Sequence, residues 1–541
     1  MAYEKIWAND PKLNKTELKK LEKDGLEVLK DIPYYAENGF SSIPKEEWDS
    51  FKWAGLYLQR PKKDGYFMMR VKVPTGILSF DQLVTLAQIS KDYGRSIFDI
   101  TTRQAIQFHW LTIENIPDIF HRLSHVGLST TGACGDIPRN IIGNPLAGID
   151  RDEVLDTRPI VKQVSDFFQN NEDFSNLPRK FKMSINANIY NAGNAEINDC
   201  AFIPAAKVIK GERKVGFHLK VGGGLSSAPK LAQLVDIFIL PEQVLEVAKG
   251  VTTIFRDFGY REKRHRARLK FLVEDWGVEK FKDTLLKYTG PLEGAGEDLT
   301  NGWNAGYFYG VYPQKQAGLH YVGINIPLGR LHADDVLELA RVAKLYGDGE
   351  VRTCGTQNII IANVPTENIE ALLNEKLFEK YPLKPPQFTG YAVSCTGTEF
   401  CNLALTETKE RMKRIALFLD QELSIDVPVR MHMTGCPNSC GQRQIADLGL
   451  QGVLMRNKEK KMVQAFEIYV GGTLLNNGEI NHKLKGKIAG EHLPNVLKQF
   501  LEYFRDTKQP KETFYEYVQR VGVESLQIEL DRILGTTVTT A

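Results

Sequence analysis

An internal repeat constrains the fold of this chain more than any other feature of its sequence. Residues 71–104 align without gaps with residues 324–357, at a constant offset of 253, and ten of the 34 aligned pairs are identical. Each copy predicts a strand, a Pro-Gly turn, an amphipathic helix that ends at Tyr-Gly, and a further strand. Because 541 residues are too many for one hydrophobic core, the repeat predicts two related halves with pseudo-twofold symmetry.

A second pair of similar stretches follows the two copies. Residues 182–205 resemble residues 430–452, which places Asp199 opposite Asp447. Each half is therefore predicted to contain a small α+β unit followed by a larger α/β unit. The interface between two such halves is a natural place for a large cofactor.

Four of the seven cysteines form a C-x5-C pair and a C-x3-C pair. They are Cys395, Cys401, Cys436 and Cys440. This spacing fits zinc poorly, whereas four thiolates suit a [4Fe–4S] cluster. The second pair lies among residues that build tight loops and leave backbone N–H groups free to point at sulfur, namely Gly435, Pro437, Asn438 and Gly441. A zinc site and four unrelated buried cysteines stay open as alternatives.

Five basic residues lie in apolar or Gly/Asn-rich surroundings instead of in charged runs. They are Arg70 in YFMMR, Arg103 in TTRQ, Arg139 in DIPRN, and Lys180 and Lys182 in LPRKFK. Alternation places the two lysines on one face of a strand. Scattered surface charge is the ordinary interpretation of any single cation, but the set as a whole indicates a polyanionic ligand.

Composition and missing motifs exclude several classes of protein. The hydrophobic fraction of 42%, the charged fraction of 25% and the net charge of +2 are typical of a soluble globular protein and argue against bulk nucleic-acid binding. No apolar run approaches the ~18–20 residues that span a bilayer, so we expect a cytoplasmic protein without a membrane anchor. The chain has neither a G-x-G-x-x-G loop after a strand nor a P-loop. A redox enzyme of this kind would receive its electrons from a separate protein.

Together these motifs resemble the sirohaem-dependent sulfite and nitrite reductases. The resemblance rests on C-x5-C with GCPNSCG, and on MMR, TTRQ, PRN, GNPLAG and LPRKFK, in order from about residue 50 to 530. It implies a mixed α+β (α/β) fold of three domains with a [4Fe–4S] cluster beside a sirohaem. It also implies that Cys440 bridges the cluster to the sirohaem iron, and it places Asn438 beside the cofactors.

The resemblance also suggests where the domains begin and end. We expect an N-terminal arm at 1–50 and one domain made of the two ferredoxin-like half-repeats, 51–125 and 315–375. The first sirohaem-binding half-domain is expected at 126–314. The second, which carries the cluster, is expected at 376–541.

Roles for the basic residues follow from the same resemblance. It implies that Arg70, Arg139, Lys180 and Lys182 bind a small inorganic anion and deliver protons, whereas Arg103 pairs with carboxylates of the sirohaem. The electron donor is expected to be ferredoxin, with a flavoprotein subunit as the alternative, and the chain is expected to act as a monomer. A non-catalytic iron–sulfur or zinc protein is a remote alternative, because it leaves the five cations unexplained.

The choice between sulfite and nitrite depends on a few positions. In the resemblance, nitrite reductases commonly carry Asn at the position of Lys182, and a second lysine suits divalent sulfite better than monovalent nitrite. Tyr57 and Cys134 match positions that are crosslinked in some ferredoxin-type sulfite reductases. Against this, PRNIIGNPLAGID and the downstream DTRP resemble the nitrite branch. The sequence therefore predicts reduction of sulfite to sulfide, with reduction of nitrite to ammonia as the alternative.

The sequence has two further basic features outside this set. His109 lies in an apolar run and is predicted to be a core residue outside the site. The stretch REKRHRARLK at 261–270 is predicted to form one face of a solvated helix, with docking of an acidic electron carrier as the alternative.

Overall fold

The structure, a computed structural model, describes residues 6–539. The first two α-helices of the described residues are α1 (Lys15–Glu22) and α2 (Val28–Asn38). Asn14 precedes α1 and its side-chain oxygen accepts a hydrogen bond from the N–H of Thr16 at 2.9 Å, as expected of an N-cap asparagine. No helix among the described residues is both long and apolar enough to cross a membrane.

The first half contains the first copy of the repeat and then a larger unit. The copy and its flanks form β1 (Leu56–Leu58), β2 (Phe67–Val71), β3 (Ile77–Leu78), α3 (Phe80–Tyr93), β4 (Ile97–Ile100), β5 (Ile106–Leu111) and α4 (Ile116–His125). The larger unit forms α5 (Arg158–Phe168), β6 (Met183–Ile185), β7 (Cys200–Ile209), β8 (Glu212–Val221), β9 (Gln233–Ile239), α6 (Val244–Phe258), α7 (Leu269–Thr289) and β10 (Glu297–Asp298). Its sheet has the order β10-β7-β8-β9, and β6 pairs in parallel with β7.

The second half repeats this plan. The second copy forms β11 (Gly310–Pro313), β12 (Leu319–Ile324), β13 (Arg330–His332), α8 (Ala333–Tyr346), β14 (Val351–Thr353), β15 (Ile359–Pro365), α9 (Ile369–Leu373) and α10 (Leu377–Lys380). Its larger unit forms α11 (Gln387–Gly390), β16 (Ala392–Ser394), α12 (Lys409–Glu422), β17 (Met431–Thr434), β18 (Leu448–Arg456), β19 (Met462–Val470), β20 (His482–Lys483), β21 (Ile488–Ala489), α13 (Leu493–Thr507), α14 (Phe514–Val521) and α15 (Val523–Thr539). The sheet has the order β16-β17-β18-β19-β20, and β21 pairs with β19.

The two copies of the repeat exchange a strand. One five-stranded sheet has the order β1-β2-β5-β4-β13, so its last strand comes from the second copy. The other has the order β11-β12-β15-β14-β3, so its last strand comes from the first copy. The exchange makes the two copies one structural unit, and helices α3 and α8 begin and end at positions that differ by the 253-residue offset.

The Pro-Gly turns explain why the repeat keeps its glycines. Gly76 and Gly329 both have left-handed backbone angles, with φ of 78° and 70°. A β-carbon on Gly76 would lie 2.3 Å from the carbonyl oxygen of Thr353, and one on Gly329 would lie 2.9 Å from that of Ile100. Each turn therefore touches the other copy at a distance that only glycine permits.

Three large groups of buried apolar side chains stabilise the molecule. One is shared by both copies of the repeat and includes Leu26, Val28 and Ile32 from the N-terminal arm. The other two lie in the larger units of the first and second halves. The mixed α/β fold and the pseudo-twofold repeat are confirmed, whereas the residue boundaries of the domains stay a prediction.

Candidate active site

The loops that carry the four clustered cysteines leave the last sheet next to each other. Cys395 follows β16, and Cys436 and Cys440 follow β17. These strands are parallel neighbours, so the loops that continue them leave the sheet side by side. The loops also contact each other directly, because the N–H of Gly435 donates to Cys395 Sγ at 3.2 Å.

Backbone N–H groups lie near three of the sulfurs. Those of Leu403 and Ala404 lower the pKa of the Cys401 thiol, and Asn438, through both its backbone and its side chain, lowers that of Cys436, each against a larger opposing effect of burial. Such donors stabilise thiolates that ligate iron.

The fourth cysteine faces the other three. Burial, and then the neighbouring charge of Cys440, raise the pKa of the Cys395 thiol to about 12. Burial and Cys440 likewise raise the pKa values of Cys401 and Cys436. Neighbouring thiols need cations to become thiolates together, and the iron ions of a [4Fe–4S] cluster supply them.

Within residues 6–539, no three His, Cys, Asp or Glu side chains lie close enough together to hold a single metal ion.

Arg70 links the cysteines to the basic set. It lies on β2 and donates to Gln107 Oε1 from Nε at 3.0 Å and from Nη2 at 2.6 Å. Its Nη1 lies 3.3 Å from Cys134 Sγ. Burial lowers the pKa of Arg70, but the nearby groups of Cys134, Tyr57 and Cys440 outweigh burial and raise it. Arg70 therefore lies between the Tyr57–Cys134 pair and the cluster cysteines.

Arg139 and Arg103 donate to carbonyl and amide oxygens instead of carboxylates. Arg139 donates to the carbonyl oxygens of Ala133 at 3.1 Å and Gly135 at 2.5 Å. Arg103 donates to Asn198 Oδ1 at 2.9 Å and to the carbonyl oxygen of Asn140 at 2.8 Å. Neither forms an ion pair with another described residue.

One buried donor of Arg103 has no acceptor. Its Nε makes no hydrogen bond to any residue that the structure describes. Burial, opposed by Asp199 and reinforced by other arginines, lowers the pKa of Arg103 to about 9. A guanidinium in this position fits an anionic group that the protein does not itself supply, such as a carboxylate of sirohaem.

Lys180 and Lys182 lie beside each other with unpaired ammonium groups. Phe181 between them is fully buried, so the two lysines lie on the opposite side of the chain, but both precede β6 and the strand predicted to carry them begins only at Met183. Among the described residues, neither ammonium has a hydrogen-bond or ion-pair partner. Both side chains keep part of their surface open although protein atoms surround them, as expected of residues that line a cleft.

The pKa values of the two lysines are both lowered, in part because other positive charges lie close to them. Burial and the charge of Arg268 lower the pKa of Lys180 to about 7, although Cys440 opposes this. Burial, Arg103 and Lys180 lower the pKa of Lys182 well below its ordinary value. The lysines, Arg103 and Cys440 are therefore close neighbours, and an anion bound among them would relieve their mutual repulsion.

Arg268 is the site residue that sequence reasoning missed. Its Nη2 lies 2.7 Å from Asp199 Oδ2, and both residues are buried. It belongs to the 261–270 stretch, for which the prediction of a solvated helix face is wrong. Residues 264–266 form a short 3-10 turn and α7 begins only at Leu269. Several of the cations point inward because they pair with buried carboxylates, namely Arg261 with Glu17, Arg264 with Asp136 and Arg268 with Asp199.

Tyr57 and Cys134 lie next to each other. Burial, and then the neighbouring Cys134, raise the pKa of Tyr57 to about 12, opposed by Arg139 and Arg70. Cys134 is fully buried. The bond between the two side chains stays a prediction.

His109 is a core residue, as the sequence predicted. Its Nε2 lies 3.2 Å from Asp99 Oδ2 and its side chain is fully buried. Its ring stacks on Phe400 with centroids 3.7 Å apart. Phe400 directly precedes Cys401, so this stacking contact packs the loop that carries Cys401 against the buried His109.

Comparison with known proteins gives the family. The model "Nitrite and sulphite reductase 4Fe-4S domain" matches residues 134–291 and 390–537. The model "Nitrite/Sulfite reductase ferredoxin-like half domain" matches residues 59–126 and 312–376. The chain is similar to the solved structure of the Mycobacterium tuberculosis NirA protein, with a TM-score of 0.89, 34% identity, and coverage of 95% of this chain and 97% of that one.

Curated relatives carry both activities in their names. The chain is 40% identical over 504 residues to a ferredoxin–nitrite reductase of Synechococcus elongatus, which covers 91% of this chain and 97% of the relative. It is 34% identical over 545 residues to sulfite reductase (ferredoxin) 1 of Mycolicibacterium paratuberculosis, covering 95% and 96%. These matches confirm the expected sirohaem and [4Fe–4S] cofactors. The chain belongs to the family of nitrite and sulphite reductases with a 4Fe-4S domain.

Proposed function

We propose that this enzyme reduces sulfite to sulfide with electrons from reduced ferredoxin. The observation that carries the proposal is the unpaired ammonium of Lys182 beside that of Lys180 and near Arg103. Two lysines among several arginines make a strongly positive site, and Coulomb attraction favours the anion of higher charge.

The cofactors are assigned to the residues that fit them. The thiolates of Cys395, Cys401, Cys436 and Cys440 would hold the [4Fe–4S] cluster, and Cys440, which lies nearest the basic residues, would lie on the side of the sirohaem. Arg103, with its free buried Nε, would pair with a carboxylate of the sirohaem. When bound, the coupled pair of cofactors supplies the electrons of a six-electron reduction and an iron site for the substrate.

The basic residues would bind the substrate. The charge of Cys440 affects the pKa values of Arg70, Lys180 and Lys182, and Arg139 lowers that of Lys180, which supports a substrate position among these four residues. Arg70 is fixed by its two hydrogen bonds to Gln107 Oε1. A fixed guanidinium needs no reorganisation to meet an oxyanion, which favours binding and orientation of the substrate.

The lysines would also supply protons. Each oxygen that leaves the substrate as water takes up two protons, so the site needs a donor that works near neutral pH. The pKa of Lys180 is about 7, lowered first by burial and then by Arg268. A group with this pKa can both give up a proton and regain it during turnover.

Reduction of nitrite to ammonia is the second candidate. It is favoured by the 40% identity to the nitrite reductase of Synechococcus elongatus and by the 36% identity to an assimilatory ferredoxin-dependent nitrite reductase of Haloferax mediterranei. Nitrite is planar and sulfite is pyramidal, and both are small oxyanions that the same cations can bind.

Steady-state kinetics with reduced ferredoxin tests the proposal. We expect purified holoenzyme to show a higher kcat/KM for sulfite than for nitrite, with sulfide as the product. A higher kcat/KM for nitrite, with ammonia as the product, would contradict the proposal and leave the cofactor assignments intact.

A further inference from the structure

Two chain segments that carry proposed substrate-binding cations run side by side. The N–H of Arg139 donates to the carbonyl oxygen of Phe181 at 2.9 Å, and the N–H of Leu177 donates to that of Asp136 at 2.9 Å. The first segment, 134–139, ends in Arg139, and the second, 177–182, holds both lysines. The separation of these cations therefore depends on how the two segments are held together.

A lysine from the N-terminal arm joins the same two segments. Lys20, on α1, has its Nζ 2.9 Å from Asp136 Oδ2 and 2.8 Å from the carbonyl oxygen of Leu177. Asp136 lies three residues before Arg139, and Leu177 lies three residues before Lys180. The Lys20 side chain is only 3% exposed, so this contact is part of the interior.

The carboxylates that contact Lys20 remain paired with other cations when the lysine is removed. Glu17, which accepts from Lys20 Nζ at 2.7 Å, also pairs with Arg261. Asp136 also pairs with Arg264 at 2.9 Å. Loss of the lysine would therefore leave no buried carboxylate alone, and the fold would survive it.

A buried ammonium is costly to desolvate, so its contribution to stability is small. What a buried ion can contribute is a defined geometry between the groups that it joins. Lys20 joins groups on two segments that each lead directly into a substrate-binding cation.

We propose that Lys20 is a positioning residue for the substrate site. By holding the Asp136 carboxylate and the Leu177 carbonyl oxygen together, it sets the distance between Arg139 and the two lysines. The inference rests on the proposed function, because it assumes that these cations bind the oxyanion.

The test is Lys20→Met in the full-length holoenzyme. We expect the Kd of both sulfite and nitrite, measured by the optical change of the oxidised sirohaem, to rise about tenfold. KM should rise in parallel, while kcat per sirohaem and the sirohaem absorption spectrum change little. Hydrogen exchange of the Arg139 and Leu177 amides should become faster. Unchanged Kd and KM in Lys20→Met would overturn the inference.

Further variants separate positioning from simple destabilisation. Lys15→Met removes an exposed lysine of the same helix and should leave Kd and KM at their wild-type values. Lys20→Arg keeps the charge and should recover part of the affinity. If Lys20→Met does not yield holoenzyme, Glu17→Gln loosens the same lysine and should raise Kd in the same direction, and a wild-type Kd there would also overturn the inference.

The outcomes distinguish this inference from the proposed function. If wild-type enzyme binds neither anion at its sirohaem, the proposed function fails. If wild type binds them and the variants bind equally well, only the role of Lys20 fails.

Discussion

Lys182 and Arg430 occupy equivalent positions in the two halves, but only Arg430 turns its side chain back to the aspartate that its backbone holds. The backbone N–H of Lys182 donates to Asp199 at 2.8 Å, and that of Arg430 donates to Asp447 at 2.8 Å. Arg430 then adds side-chain bonds to its aspartate, from Nε at 2.9 Å and from Nη2 at 2.5 Å.

In the first half, an arginine from elsewhere takes the place of that side chain. Arg268 pairs with Asp199 at 2.7 Å, so the ammonium of Lys182 is left for a ligand. In the second half the guanidinium of Arg430 also covers the ring of Trp303, 4.6 Å from its centroid. Of the two symmetry-related cations, Lys182 is therefore left for a ligand, whereas Arg430 is held by its own aspartate.

Replacing Arg268 tests this division of roles. Arg268→Met leaves the fully buried Asp199 without its arginine, and we expect a loss of about 3 kcal/mol in the free energy of unfolding. The carboxylate should then attract Lys182, so KM for the oxyanion should rise. Urea unfolding and steady-state kinetics measure the two effects. The control is Arg266→Met, whose half-exposed side chain lies 3.9 Å from Asp275 and should matter little. Equal stability of both variants would contradict the assignment.

The acid stability of the protein should depend on Asp136. Burial raises the pKa of this carboxyl, but Lys20, Arg264 and Arg179 outweigh it and hold the pKa well below its ordinary value. A carboxyl with a depressed pKa stabilises the fold above the unfolded-state value of about 4 and loses that contribution as the pH falls through its folded-state pKa.

Asp136→Asn should therefore cost about 3 kcal/mol at neutral pH and lose stability less steeply than wild type below pH about 4. Urea unfolding at several pH values measures both slopes. Parallel slopes for wild type and variant would show that Asp136 does not carry this pH dependence.

The stacking of Phe400 on His109 should matter for the cluster. Phe400→Ala removes a buried ring that packs against His109, and the cavity should cost about 3 kcal/mol of stability. Because the ring directly precedes Cys401, the variant should also retain less iron and inorganic sulfide per chain. Leu403→Ala is the control, since Leu403 is 68% exposed. Wild-type iron content in Phe400→Ala would argue against the supporting role.

The Tyr57–Cys134 crosslink predicts a mass difference. An oxidative bond between the two side chains removes two hydrogen atoms, so the intact chain should be lighter than its sequence by that amount. Mass spectrometry should also find one crosslinked peptide, and Tyr57→Phe should abolish it. A full sequence mass in the wild-type protein would mean that the two residues are only neighbours.

Much of the fold follows from the repeat, but the strand exchange does not. The constant offset predicts α3 and α8 with their ends, because helix periodicity and caps are local properties. Which sheet β3 and β13 join is decided by contacts between the copies, such as Gly76 against Thr353. The local sequence pattern does not indicate which strand of the other copy β3 or β13 will pair with.

The candidate site likewise has residues that the sequence predicts and residues that it does not. Cysteines and basic residues in unusual surroundings could be found from the sequence, because their spacing and context are local. Arg268 and Lys20 could not, because what makes them important is a distant buried carboxylate, Asp199 or Asp136. In the sequence, the lysine-rich stretch around Lys20 and the arginine-rich stretch around Arg268 each resemble the solvated face of a helix.

The free ammonium of Lys182 should make the site selective for sulfite. The most direct measurement is the ratio of kcat/KM for sulfite to that for nitrite, in wild-type holoenzyme and in Lys182→Asn, with reduced ferredoxin as donor. We expect wild type to favour sulfite and Lys182→Asn to lower the ratio about tenfold or more, because one nearby charge is worth about 1.4 kcal/mol or more in a partly buried site. The same ratio in both proteins would contradict the account.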